Sequence, residues 1–315
     1  MDQMKTGRNL RDFISLFFKG MMMGAADVVP GVSGGTIAFI TGIYEELINT
    51  IKSFDLAAVR ILFKQGPVAC WRHVNGTFLL VLVAGIITSI ASVAGGILFL
   101  LGNFPVLLWA FFFGLILASS WLVMSHVDRW DTDVLSSFSI GILVAYLITS
   151  ISPSAVEPTS LMVLLAGSVA ICAMILPGIS GSFILLLMGM YAPILVAVKA
   201  LDLQVIGLFV MGCIIGITSF SRVLSWMFSH HKVVTLALLS GFMLGSLNKV
   251  WPWKYTVAYT INRHGDQVPL QQENVLPWSY QGITGEPAFL IFSCGLVLLG
   301  AAMVIVMERS HKTNG

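Results

Sequence analysis

The sequence predicts an all-α polytopic membrane protein folded as an inverted repeat, each half a broken or re-entrant helical hairpin followed by three transmembrane helices. Three observations predict it. Of 315 residues, 57% are hydrophobic and only 10% are charged, against roughly a quarter charged in a soluble domain. Several nearly uncharged runs are about 20 residues long, enough to cross the hydrocarbon core of a bilayer. One motif occurs twice, as Pro30-Gly-Val-Ser-Gly-Gly-Thr36-Ile and as Pro177-Gly-Ile-Ser-Gly-Ser-Phe183-Ile. Each copy is followed at the same distance by Gly-x-Tyr, at Gly42 and Tyr44 and at Gly189 and Tyr191.

The chain opens with Lys5, Arg8 and Arg11 and a short apolar run that carries Lys19 and no A-x-A-like cleavage site. It reads as retained rather than as a signal peptide. Residues 13–48 are apolar but interrupted by Pro30-Gly31. Proline lacks the N–H and clashes with the preceding turn, so two short helices should meet at a break there. A longer segment, 49–77, leads to three clean spans at 78–101, 104–124 and 134–151. The second half repeats the order, with a broken hairpin at 161–198 and spans at 205–227, 233–250 and 288–307. The halves are residues 11–151 and 161–307 of a single membrane domain that takes in the whole of 1–315. Residues 251–287 are polar and carry prolines, and read as an external segment capping one face.

The likeness of the halves extends past the motif. Ala110, Gly114, Leu117 and Ser119 match Ala237, Gly241, Leu244 and Ser246 at one spacing. Phe138-Ser139-x-Gly141 matches Phe292-Ser293-x-Gly295 at another, with the shifts falling in loops. A half crosses the membrane three times if its hairpin is re-entrant and five times if both arms cross. Both numbers are odd, so the second half must be inverted, as in transporters whose broken helices meet near the midplane.

Positive charge sets the orientation. With both termini in the cytoplasm, thirteen of the Lys and Arg residues fall at or near the inner side. Four fall outside: Lys199, Lys249, Lys254 and Arg263. Trp71, Trp121, Trp130, Trp226, Trp251 and Trp253 then lie near the interfaces, where an aromatic belt belongs. The basic residues are scattered, so no nucleic-acid partner is expected. Cys70, Cys172, Cys213 and Cys294 form no C-x-x-C pair and read as buried thiols.

The breaks carry the chemistry. Breaking a helix inside lipid is tolerated where the loose backbone lines a cavity or is buried in protein. Pro30, Gly31, Pro177 and Gly178 make the breaks. Ser33, Gly34, Gly35 and Thr36 in one copy, with Ser180, Gly181 and Ser182 in the other, offer backbone N–H groups and hydroxyls to an anion. The competing reading is that the glycines allow close helix crossing and the serines only cap.

Asp27, Glu45 and Glu46 flank the first motif, where the second has Met174, Ala192 and Pro193. A carboxylate at membrane depth costs about 2.5–3.5 kcal/mol, which marks Asp27 either as a proton carrier or as a cap. The two glutamates either couple or gate, or lie at the cytoplasmic surface. Lys19 either pairs with Asp27 or attracts an anionic headgroup. Arg222 either snorkels to the headgroups or binds phosphate through its guanidinium. His230 and His231 beside Lys232 read as a loop, and neither a metal site nor a cofactor is expected. No Ser-His-Asp order, P-loop or H-E-x-x-H is present, which argues against an ATPase or a metallohydrolase.

The stretch from Lys19-Gly20 through Asp27 to Pro30-Gly-Val-Ser-Gly-Gly-Thr36, with Leu176-Pro-Gly-Ile-Ser-Gly-Ser182, Ile184 and Gly189-x-Tyr191, strongly resembles the PopT-like family. That family was long catalogued as a domain of unknown function and is now linked to polyprenyl-phosphate translocation. The resemblance covers essentially the whole chain. It implies a bacterial inner-membrane protein that returns undecaprenyl phosphate, the carrier lipid of cell-wall glycans, from the outer to the inner leaflet. It carries the family motif to Asp27, Pro30, Gly31, Ser33, Gly34, Gly35 and Thr36, and to Pro177, Gly178, Ser180, Gly181 and Ser182. Three competitors stand beside it: a transporter of a small soluble anion using the same paired turns, an enzyme acting on lipid phosphates, and a scaffold. The enzyme lacks a nucleophile–base pair near either motif, and the scaffold leaves the breaks unexplained.

Overall fold

The computed structural model describes residues 8–29, 32–151, 158–261 and 267–313. Among these, the helices of the first half are α1 (Leu10–Val28), α2 (Gly34–Ile40), α3 (Tyr44–Lys52), α4 (Leu56–Gln65), α5 (Pro67–His73), α6 (Gly76–Asn103), α7 (Pro105–Met124) and α8 (Thr132–Ser150). The second half has α9 (Ser160–Ile175), α10 (Gly181–Leu187), α11 (Tyr191–Ala200), α12 (Leu203–His230), α13 (Lys232–Ser246), α14 (Pro277–Thr284) and α15 (Leu290–Thr313). Strands β1 (Lys254–Ile261) and β2 (Gln267–Asn274) form one antiparallel pair.

Among the described residues four helices are long and apolar enough to cross a membrane: α6, α7, α8 and α12, or five spans if the bent pair α10 and α11 counts as one. Six clean spans were expected. The other two are shorter. Helix α13 ends at Ser246 after 15 residues, about 22 Å at 1.5 Å per residue, against a core of about 30 Å. The apolar part of α15 covers Leu290–Val306.

The hairpin regions are also cut more finely than the sequence suggested. Each holds three helices and two breaks, not two helices and one. The second break falls at the Gly-x-Tyr signal, where Gly42 (φ +72°) and Gly189 (φ +67°) adopt the left-handed conformation that ends a helix at little cost only for glycine. At Gly189 the axes of α10 and α11 turn by 107°.

Helix pairing follows one scheme throughout. Helix α1 packs on α6 and α9 packs on α12, while α7 packs on α15 and α8 on α13. Glycines set the closeness reciprocally. A Cβ on Gly20 would lie 2.3 Å from the Leu82 carbonyl oxygen, and one on Gly85 would lie 2.2 Å from that of Phe17. On the other pair, Gly167 meets the Phe209 oxygen at 2.3 Å and Gly212 the Leu164 oxygen at 2.0 Å. Small residues of this kind let helix backbones approach where lipid offers no hydrophobic drive.

Of the two sequence matches beyond the motif, the first has matching burial at its alanines, glycines and serines, though not at Leu117 and Leu244. Ala110 and Ala237 are fully buried, as are Ser119 and Ser246. The second does not. Gly141 lies against the Leu238 oxygen, but Gly295 has nothing within 4 Å of a built Cβ. By packing, the counterpart of Gly141 is Gly300, which lies against the Phe111 oxygen. Gly300 lies five residues beyond the Gly295 of the sequence match.

The polar segment holds the exception to an all-helical fold. There β1 pairs antiparallel with β2, and Pro277 at the first position opens α14. Tryptophans fasten it down: Trp251 Nε1 donates to the Val275 oxygen and Trp253 Nε1 to that of Ala288, both at 2.9 Å. Trp253, Val106 and Tyr280 form a small core beside this segment. Trp251 and Trp253 thus tie the polar segment to the residues that flank α14. In the segment after α3, Asp55 caps α4 through the Ala58 amide at 2.9 Å, and Pro67 starts α5.

Candidate site at the two helix breaks

The principal buried core surrounds the first break. Val29 and Val32 on either side of it have no exposed surface, and Tyr44, Phe78, Leu82, Leu239 and Met243 pack in the same cluster. Pro30 and Gly31 lie outside the described residues. The rest of the first motif is described and closely held.

Ser33 precedes α2 in an extended conformation, and its Oγ accepts the Gly35 amide at 3.1 Å. The same hydroxyl lies 3.1 Å from the Met174 oxygen and 3.3 Å from that of Leu176, so one proton is shared between two carbonyls at the end of α9. Asp27, one residue before the end of α1, folds back so that its Oδ1 accepts the Gly34 amide at 2.7 Å. A Cβ on Gly34 would lie 2.5 Å from the Asp27 Oδ2, so a larger residue there would have to displace that carboxylate. Gly35 is pressed against the second half, with its Cβ position 2.6 Å from the Ile175 oxygen.

Thr36 makes the join between the breaks. Its Oγ1 accepts the amide of Gly178 at 2.9 Å, and Thr36 has no exposed surface. Gly178 follows Pro177 with φ +91°, a conformation that suits glycine. It is packed on α13, where a Cβ would lie 2.8 Å from Ser246 Oγ. The sequence placed the two motifs at one site, and they touch residue to residue.

The second copy is left open. Among the described residues no side chain caps α10: Ser180, unlike Ser33, makes no capping bond, and Met174 stands where the first copy has Asp27. The Ser180 and Ser182 hydroxyls lie 2.8 Å from each other. Ser180 is buried, Gly181 is buried and Ser182 is exposed, so this end of the site reaches the surface.

The other expected site residues fall in three places. Lys19 Nζ donates to the Thr41 carbonyl at 2.7 Å. Thr41 closes α2, so Asp27 sits at the N-terminus of this short helix and Lys19 at its C-terminus, each the charge that the helix dipole favours there. Glu45 and Glu46 make ion pairs. Glu45 meets Lys232 at 2.7 Å, while Glu46 meets Arg8 and also accepts from Asn75 Nδ2 at 2.9 Å. Beside the first pair is a polar cavity of about 150 Å³, lined by Asn49, Ser225 and Ser229 among others. Arg222 is exposed on α12, and its guanidinium donates to the Thr218 oxygen on the same helix at 2.9 Å. The structure does not bring it to the buried serines of the breaks.

Lys249 was missed. Its Nζ lies 4.3 Å from the centroid of the Phe183 ring in the second motif. In the sequence it stood only as a basic residue at the end of a span, beside Trp251, as many interfacial anchors do.

Comparison with known proteins follows the same lines. Residues 23–268, which take in both breaks, match the VCA0040-like family model, described as undecaprenyl phosphate translocase-like. A polyprenyl-phosphate transporter of Vibrio cholerae is 47% identical over 298 residues, covering 95% of this chain and 97% of the relative. One of Staphylococcus aureus, with the same name, is 31% identical over 252 residues, covering 74% of this chain and 84% of the relative. No solved structure matches the chain significantly. The coverage of both breaks and the length of these matches make the chain a member of the VCA0040-like, undecaprenyl phosphate translocase-like family.

Proposed function

We propose that this protein transports polyprenyl phosphate, and undecaprenyl phosphate in particular, from the outer to the inner leaflet of the bacterial cytoplasmic membrane. It is a transporter and not an enzyme. The observation that carries the reading is the 47% identity to a polyprenyl-phosphate transporter over nearly the whole of both chains. The site agrees with it chemically. The lipid has a phosphate head and an apolar tail, so only the head needs shelter, and the tail can stay in the bilayer. A small polar site with one exposed end, at Ser182, suits that division.

The two halves act as inverted repeats around the joined breaks, with both termini in the cytoplasm. Support comes from the common order of elements and from the equal 28-residue lengths of α6 and α12. The reciprocal glycine contacts of α1 with α6 and of α9 with α12 add to it.

Asp27 couples the movement to protons. Its carboxylate occupies the Gly34 amide, a donor that a phosphate oxygen would otherwise take. Protonation turns a charged acceptor into a weaker one and frees that donor for the headgroup. Carrying an anion inward against an inside-negative potential costs about 2.3 kcal/mol per charge per 100 mV, and a proton moving with it removes that cost. The test is flipping by the reconstituted protein, with undecaprenyl phosphate compared against undecaprenol. Movement of the phosphate lipid alone is expected; equal movement of the neutral lipid, or of neither, overturns the proposal.

A further inference from the structure

Among the described residues, two lysines between α13 and β2 stand without an acid. Lys249 follows α13 directly, three residues after Ser246, and its Nζ lies over the Phe183 ring. Among the described residues that ammonium has no hydrogen-bond acceptor and no carboxylate within ion-pair distance. Lys254 opens β1; its Nζ donates to the Lys249 carbonyl and lies 3.7 Å from the centroid of the buried Trp109 ring. The aromatic faces attract the charges, but they leave N–H donors of Lys249 unused. Burial, and next the charge of Lys249, hold the Lys254 ammonium well below its ordinary range. Uncompensated cations in such a place are costly, and an anion between them would relieve both.

We infer that Lys249, supported from behind by Lys254, is the cationic binding residue for a phosphate monoester at the second break. The inference rests on the transport reading above and adds to it the charge that the second motif lacks. The second break has neutral donors only, the Ser180 and Ser182 hydroxyls and backbone amides, with no side chain capping α10. Phe183, on which Lys249 rests, directly follows Ser182. A phosphate monoester carries between one and two negative charges at neutral pH; Lys249 supplies one positive charge, and a bound anion would favour the charged form of Lys254. The first break has no such vacancy, since Asp27 fills it. Entry of the headgroup is therefore at the cap side, onto Lys249, before any competition with Asp27.

The test is equilibrium binding to the full chain in nanodiscs, with undecaprenyl phosphate, inorganic phosphate and undecaprenol as probes. The variants are Lys249→Met, Lys249→Arg and Lys254→Met, with Lys199→Met as control. Methionine removes charge and keeps an apolar stem, so the fold is retained; melting curves and elution volume confirm it, and whichever of the two folded Met variants is obtained is read. Loss of a charge-assisted hydrogen bond, about 1.5–3 kcal/mol, weakens undecaprenyl phosphate binding roughly tenfold or more. Arginine retains most of it, and the control binds like the parent. A folded Lys249→Met or Lys254→Met protein that binds within twofold of the parent overturns the inference. A parent that binds undecaprenol as tightly as the phosphate lipid overturns the transport reading instead. Tight binding of inorganic phosphate that is lost in Lys249→Met keeps the lysine site but assigns it to free phosphate, against the lipid.

Discussion

Asp27 Oδ1 accepts the Gly34 amide at 2.7 Å, so the first break is closed by the protein's own carboxylate. The second break has Met174 at the corresponding place and no cap. The two copies of one motif are thus in opposite states, one occupied by an internal anion and one free of it. Asp27→Asn keeps an oxygen that can accept from Gly34 and removes only the exchangeable charge. The variant is expected to fold and to move undecaprenyl phosphate at a rate that no longer responds to an imposed pH gradient. Uptake by proteoliposomes, with and without the gradient, measures it; a gradient response equal to the parent's counts against coupling through Asp27.

Thr36 Oγ1 is the acceptor for the Gly178 amide across the join of the halves. Thr36→Val keeps the shape and leaves that buried amide without a partner. Such a loss costs about 1–3 kcal/mol. Thermal unfolding in detergent should show a clear fall in Tm for Thr36→Val, and Thr36→Ser should recover most of it. Because the bond holds one break to the other, transport should fall more than stability does. An unchanged Tm in Thr36→Val would mean that the amide finds another acceptor.

The sequence carried the membrane class, the paired breaks and their meeting, because proline, glycine and long apolar runs act through local backbone rules. It placed Asp27 beside the break but not its bond to Gly34, since a fold-back over seven residues leaves no periodic trace. The second break of each hairpin was visible as Gly42-x-Tyr44 and Gly189-x-Tyr191, yet a single glycine is weaker punctuation than Pro-Gly. Lys249 was hidden because its partner, Phe183, is far away in the chain. The match of Gly141 with Gly295 failed where identity and packing diverged: only the carbonyl facing each glycine tells that Gly300 is the counterpart.

Gly85 and Gly95 lie on the same long helix in different surroundings. A Cβ on Gly85 would lie 2.2 Å from the Phe17 oxygen, whereas Gly95 has nothing within 4 Å. Gly85→Ala must push α1 away from α6, at a cost of about 1–3 kcal/mol for overpacking. Gly95→Ala gains helix propensity of about 0.5–1 kcal/mol. Melting curves of the two variants should therefore move in opposite directions. A fall of equal size in both would mean that the close crossing of α1 and α6 does not limit stability.

The neighbouring acids Glu45 and Glu46 separate by exposure. Glu46 and its partner Arg8 have side chains 24% and 14% exposed, and Glu46 holds Asn75 as well. Glu45 and Lys232 are 49% and 57% exposed, where water screens the charges and an ion pair contributes about 0–1 kcal/mol. Glu46→Gln leaves the Arg8 charge half-enclosed, and hydrogen bonds to charged groups contribute about 1.5–3 kcal/mol. Glu46→Gln should lower Tm measurably while Glu45→Gln leaves it nearly unchanged. Raised salt should narrow the difference between parent and Glu45→Gln first, because that pair is the more open to screening. If Glu45→Gln nevertheless alters transport strongly at unchanged Tm, its bond to Lys232 belongs to the transport cycle and not to the stability of the resting fold.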